Sequence, residues 1–249
     1  MFHLALYHAS VAAGPLQLNA LGDVVMAPAA NGYLVPPTIS KVVRVVGVGN
    51  LLVRAQLNSA SLRDYTPFDI SPVNTGTVMN SPVCEQDFRD NPVPLAVNEE
   101  LDCFVTNSGA GPTRTTVGVT FADGPIVPVK GRVFTVHWTS AVALSAAFIW
   151  ASVTPVLDNG IPSGTFAIVG SRQKSATALF HRFVPRGGTT YRPGTTSQQT
   201  DTDGQNRNDR YGAMGEWMRF TNTTMPAMEV FALAADATQS GYIDLVQVA

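Results

Sequence analysis

Asp201, Asp203, Asn206 and Asp209 give the densest chemical signal in this chain, all within the polar stretch DTDGQNRND. Hard oxygen donors on a loop suit Ca²⁺ better than a transition metal. The stretch is not an EF-hand, because glycine stands at its fourth place and no glutamate closes it. A solvated loop of the same composition would read alike. Trp217, in GAMGEWMRF beside that loop, and Tyr211 are candidate contact residues for a ligand or a neighbouring subunit. Trp138 and Trp150 lie in apolar runs and read as core. His3 and His8 fall on opposite faces of a regular strand, so they do not share a metal. His137 reads as a hydrogen-bonded core or interface residue. Cys103 sits in an apolar run as a buried small hydrophobe, and Cys84 in a Pro-containing stretch; a bridge between them stays open.

The motifs that announce chemistry are missing. There is no GxSxG, GxxxxGK[ST], HExxH or CxxC, and Gly47-x-Gly49 lacks the third glycine of a dinucleotide fingerprint. No local signal marks a nucleophile, so an enzyme is not expected, and no cofactor beyond the Ca²⁺ candidate.

The elements that would position these residues are short. Val- and Leu-rich runs of strand length alternate with Gly, Pro, Asn and Asp punctuation along the chain. Ile39 to Leu57 reads as a hairpin or a kinked strand pair, turning at Gly47, Gly49 and Asn50. Residues 58–98 and 185–212 are long excursions rich in turn residues. Residues 164–184 read as a strand pair or a short helix around Lys174 to Phe180; residues 95–101 are a second short-helix candidate. Val133 to Leu157 carries no Asp, Glu, Lys or Arg, but its hydroxyls, His137 and Pro155 favour two buried strands joined near Thr139–Ser140 over a membrane span. The opening stretch MFHLALYHASVAAG lacks a basic leader and does not read as a signal peptide.

Leu101 to Ala122 and Met228 to Ala249 each read as two antiparallel strands joined by a loop. They lie together without a gap, with Phe104 on Phe231, Val119 on Val246 and Ala122 on Ala249. Each half then runs as opening strands, a long excursion and a closing hairpin. This predicts an all-β chain of two tandem antiparallel β-sandwich, jelly-roll-like modules, 1–125 and 126–249, divided at Ala122–Asp123–Gly124–Pro125. The final residues, Val246–Ala249, are expected to pair in a sheet.

Composition speaks to partners. Only 14% of the 249 residues are charged, against about 25% in soluble domains, while 45% are apolar. That deficit fits a surface covered by other subunits, or one kept soluble by hydroxyl and amide side chains. Formal net charge is −2 and no Arg or Lys precedes Lys41, so there is no basic arm to neutralise phosphate and no direct nucleic-acid binding is expected.

Tandem β modules, low charge, Gly/Pro-rich excursions and no catalytic motif together resemble virion structural proteins: tandem (double) jelly-roll coat proteins of double-stranded DNA viruses and bacteriophages, or phage decoration proteins. The resemblance implies a virion location, contacts with other virion proteins, and self-association as a homotrimer, with membrane contact not expected. A carbohydrate- or receptor-binding β module of a phage adhesin is the alternative.

Overall fold

The computed structural model describes residues 1–8, 14–18, 27–29, 32–48, 52–59, 84–107, 115–140, 144, 146–175, 177–187, 191–197 and 210–249. Among these the chain is all β, with no helix. It divides into two compact units, Met1–Gly124 and Pro125–Ala249.

The first unit runs β1 (Phe2–His8), β2 (Gly14–Gln17), β3 (Ala27–Ala29), β4 (Gly32–Leu34), β5 (Lys41–Val48), β6 (Leu52–Ser59), β7 (Cys84–Asp87), β8 (Val93–Pro94), β9 (Glu100–Asn107) and β10 (Thr115–Ala122). One antiparallel sheet is ordered β1-β10-β5-β7, with β8 also on β5. The other places β9 between β6 on one side and β2 and β4 on the other, with β3 beyond β4. Strand side chains alternate between faces. Phe2, Leu4 and Leu6 from β1 thus meet Val117, Val119 and Phe121 from β10 and Leu101, Cys103 and Val105 from β9 in one core.

The second unit runs β11 (Phe134–Ser140), β12 (Trp150–Val153), β13 (Val156–Leu157), β14 (Thr165–Lys174), β15 (Ala178–Val184), β16 (Gly194–Thr196), β17 (Met218–Thr221), β18 (Ala227–Ala232) and β19 (Gln239–Gln247). Its sheets are ordered β13-β11-β19-β14-β17 and β12-β18-β15-β16. Setting β13 aside, the eight strands fall as first, last, third, sixth in one sheet and second, seventh, fourth, fifth in the other. That is the jelly-roll order of two interlocked Greek keys. β1, β10, β5 and β7 repeat the first sheet, and β2, β9 and β6 the second; β16 has no described counterpart.

Two bulges bind the units into one design. In β5 the register on β10 skips Val43, between Phe121↔Val42 and Thr120↔Arg44. In β14 the register on β19 skips Val169, between Leu245↔Ile168 and Asp244↔Gly170. Each skipped residue's carbonyl accepts from a residue of the following excursion, Val43 from Phe88 N at 2.8 Å and Val169 from Gly212 N at 2.7 Å. The second sheets match as well: β6 skips Val53 against β9, and β15 skips Leu179 against β18. A bulge bends its strand and raises the local twist, so a matched pair fixes equivalent curvature in both sandwiches.

The structure corrects the hairpins expected at 101–122 and 228–249, and of the alternatives at 39–57 and 164–184 it shows two strands in each that do not pair with one another. In each, one strand lies in one sheet and the next in the other: β5 and β6, β9 and β10, β14 and β15, β18 and β19. An apolar alternation specifies a strand but not its partner. The helix candidates are also overturned, since Thr165–Lys174 and Ala178–Val184 are strands and Glu100 opens β9. Val133 to Leu157 holds β11, β12 and β13, with β11 and β12 in different sheets, so no turn at Thr139–Ser140 joins paired strands. No helix among the described residues is long and apolar enough to cross a membrane.

The gapless overlay of 101–122 on 228–249 is corrected too. Laying bulge on bulge puts Thr106, not Phe104, on Phe231 and Ala122, not Val119, on Val246. The residue matches were coincidental, while the order of strands repeats.

Candidate functional site

Tyr211 and the residues that hold it form the most distinctive surface feature of the second unit. Its support begins at Asp244 on β19, which alternation aims away from the sandwich core, opposite Thr135 on β11. Asp244 is fully buried and accepts from Arg210 Nε at 2.5 Å, Arg210 Nη2 at 2.9 Å, the Thr135 hydroxyl at 2.6 Å and the Tyr211 backbone N–H at 3.0 Å. Four donors on one carboxylate satisfy a charge that would otherwise be costly to bury. Burial acts to lower the Arg210 pKa, but hydrogen bonds and charge from Asp244 outweigh it and raise the value, so the guanidinium stays charged.

This anchor fixes the backbone of the next residues. Tyr211 takes a left-handed φ of 55° and Gly212 one of 80°. A side chain at position 212 would press on Val129, whose N–H also bonds the Gly212 carbonyl at 3.0 Å. The left-handed conformation is costly for a tyrosine and persists where surroundings over-determine it. The result is a tyrosine 60% exposed, its ring covered on one side by the Arg210 guanidinium at 4.7 Å. Val127, 65% exposed, lies beside the same segment, its backbone close against Gly215. An ordered aromatic with an exposed face suits a contact surface.

The other candidates separate. Asp201, Asp203, Asn206 and Asp209 lie outside the described residues. Among the described residues no group of three or more His, Cys, Asp or Glu stands ready for a metal. Trp217 is corrected: it is 1% exposed and packs on Phe183, ring centroids 6.1 Å apart. Its backbone N–H bonds the Ile168 carbonyl at 2.8 Å, which sets the residue beside β14 with its side chain in the core. Trp138 is a core residue as expected, while Trp150 is half-buried on the outer face of its sheet. There Arg182, 0% exposed, stacks on Trp150 at 3.9 Å and bonds Glu229 at 2.7 Å, with Arg192 3.7 Å from the same carboxylate. This buried arginine layer was not foreseen; its signal in the sequence was the charged residue set inside each of the apolar runs ALFHRFV and AMEVFA.

His137 is partly exposed and bonds Asp158 through Nδ1 at 2.5 Å, its ring 4.9 Å from Tyr242. A His–Asp pair can orient an imidazole for base catalysis, but the other nitrogen would then face a nucleophile's hydroxyl. No such hydroxyl bonds His137 among the described residues. Cys103 carries a free, buried thiol, so no bridge joins it to Cys84. Burial first, and then the charge of Asp102, push its pKa well above the usual range and leave it inert.

No family model matches this chain, and no curated protein does. Two solved structures span nearly all of it. The crystal structure of the STIV MCP covers 99% of this chain with 97% of its own, at 10% identity and a TM-score of 0.28. The crystal structure of the major capsid protein P2 from bacteriophage PM2 covers 95% of this chain with 98% of its own, at 9% identity and a TM-score of 0.24. Likenesses at these scores carry no weight for function.

Proposed function

We propose that this chain is a structural virion protein that forms or decorates a capsid shell, assembling as a homotrimer and contacting other virion proteins. The observation that carries the reading is the repeated jelly-roll strand order, with its bulges at matching places in both units. Jelly rolls limit exposed strand edges, which suits a protein that must stay soluble until it assembles. The low charge content supports extensive burial against copies of itself, since obligate interfaces are more apolar than transient ones. Tyr211 is assigned as an anchor of one such contact. The role is structural rather than catalytic, and the place of action is the virion. The adhesin alternative has lost its aromatic anchor, because Trp217 is buried. Light scattering of the purified chain tests the proposal. Trimers or larger closed assemblies are expected, and Tyr211→Ala should shift them toward monomer without loss of fold. A wild-type chain that stays monomeric at every concentration would overturn it.

A further inference from the structure

The core of the second unit holds a polar chain that no contact role requires. His181 on β15 lies between the two sheets with 0% exposure. Its Nε2 stands 2.9 Å from the Ser171 hydroxyl on β14, in the opposite sheet, and its Nδ1 stands 3.1 Å from the Ser197 hydroxyl just after β16. Ser197 donates to Gln173 Oε1 on β14 at 2.6 Å, and Gln173 donates to Gln239 Oε1 on β19 at 3.0 Å. All of these residues are buried. The sheets are therefore tied twice, by His181 to Ser171 and by Ser197 to Gln173.

Proton counting fixes the imidazole's state. Ser197 spends its single proton on Gln173, so it must accept from His181, which makes Nδ1 the donor. Nε2 then accepts from Ser171. A second proton on the ring would turn Nε2 into a donor and force the Ser171 hydroxyl onto the Tyr242 carbonyl, 3.3 Å away. It would also place a cation in the core with no anion to meet it. The charged residues on the surrounding strands, Arg172 and Lys174 on β14, Arg182 on β15, Glu229 on β18 and Asp244 on β19, alternate to outer faces. Asp236 bonds Ser175, beyond the end of β14.

We propose that His181 is an acid-sensitive latch of the second unit: taking up a proton puts a cation between its two sheets with no anion to meet it, so mild acid opens this sandwich. Burial pushes the His181 pKa down to about 3, whereas an unfolded histidine titrates near 6.5. Between those values the opened chain holds a proton that the closed one lacks, so stability falls as pH falls. The inference is independent of the capsid reading.

All three tryptophans, Trp138, Trp150 and Trp217, lie in Pro125–Ala249, so tryptophan fluorescence, excited selectively over tyrosine, reports this unit alone. Urea unfolding followed at 0.5-unit steps of pH from about 7 to 4 should show an opening constant that rises more steeply in wild type than in His181→Gln. The expected difference is about tenfold per pH unit below 6, the slope of one proton. Equal slopes in wild type and His181→Gln would overturn the proposal. Should His181→Gln fail to fold, histidine NMR of the wild-type chain decides. A His181 ring that stays Nδ1-protonated and neutral until the fluorescence transition supports the latch; one that titrates near pH 6.5 in the folded chain overturns it.

Discussion

Asp244 is the residue on which the Tyr211 surface depends. Removing its charge leaves Arg210, 7% exposed, without its partner and frees the backbone of Tyr211. Breaking a buried pair from one side costs about 3–5 kcal/mol. Asp244→Asn is therefore expected to lower the unfolding free energy, read from the urea titration of the tryptophan transition, by an amount in that range; an unchanged value would show that the pair does not hold the loop. Cys103 gives a second test at this scale. Its thiol is buried and its pKa raised by that burial, so iodoacetamide should leave it unmodified in the folded chain and label it once urea unfolds the first unit. Rapid labelling of native Cys103, read by peptide mass, would contradict the assigned core. The two contact residues read from sequence parted for a local reason. Both residues stand beside the same polar loop, but the Trp217 backbone N–H pairs with the Ile168 carbonyl and its indole is buried, whereas Tyr211 sits at the outward turn. Nothing in the spacing of those residues encodes which carbonyl each N–H will meet.

At the level of strands, the end of β19 is pinned more firmly than its exposure suggests. Val246 and Gln247 stand in register with Ala167 and Phe166. Beyond them, Val248 N bonds the Thr165 carbonyl at 2.9 Å and Thr165 N bonds the Ala249 carbonyl at 2.6 Å. Deleting Val246–Ala249 removes this clasp from β14, the strand that also carries the Val169 bulge, and is expected to reduce soluble yield or abolish the cooperative tryptophan transition. A truncated chain with a wild-type transition would refute that role. Strand positions were legible in the sequence because alternation and turn residues mark them directly. Pairing was not. Val-rich runs such as ISKVVRVVGVGNLLVRAQL fit a hairpin as well as they fit two strands crossing from sheet to sheet, and the difference is decided by contacts far away in the chain. The bulges at Val43, Val53, Val169 and Leu179 carry no residue signature at all, since Val and Leu serve equally well in a regular strand. For the same reason the overlay of like residues in 101–122 and 228–249 slipped out of structural register.

For the whole molecule, two sandwiches with one strand order and matched bulges explain why so few charges suffice: apolar surface is divided between two cores and, in the capsid reading, between neighbouring copies. A chain built this way should not remain alone in solution. The most direct measurement is the mass of the purified protein by light scattering over a hundredfold range of concentration, with electron microscopy of the largest species. Discrete trimers or closed shells, weakened by Tyr211→Ala while the tryptophan transition stays intact, are the predicted result. A single species at the 26.4 kDa of one chain throughout that range would contradict it.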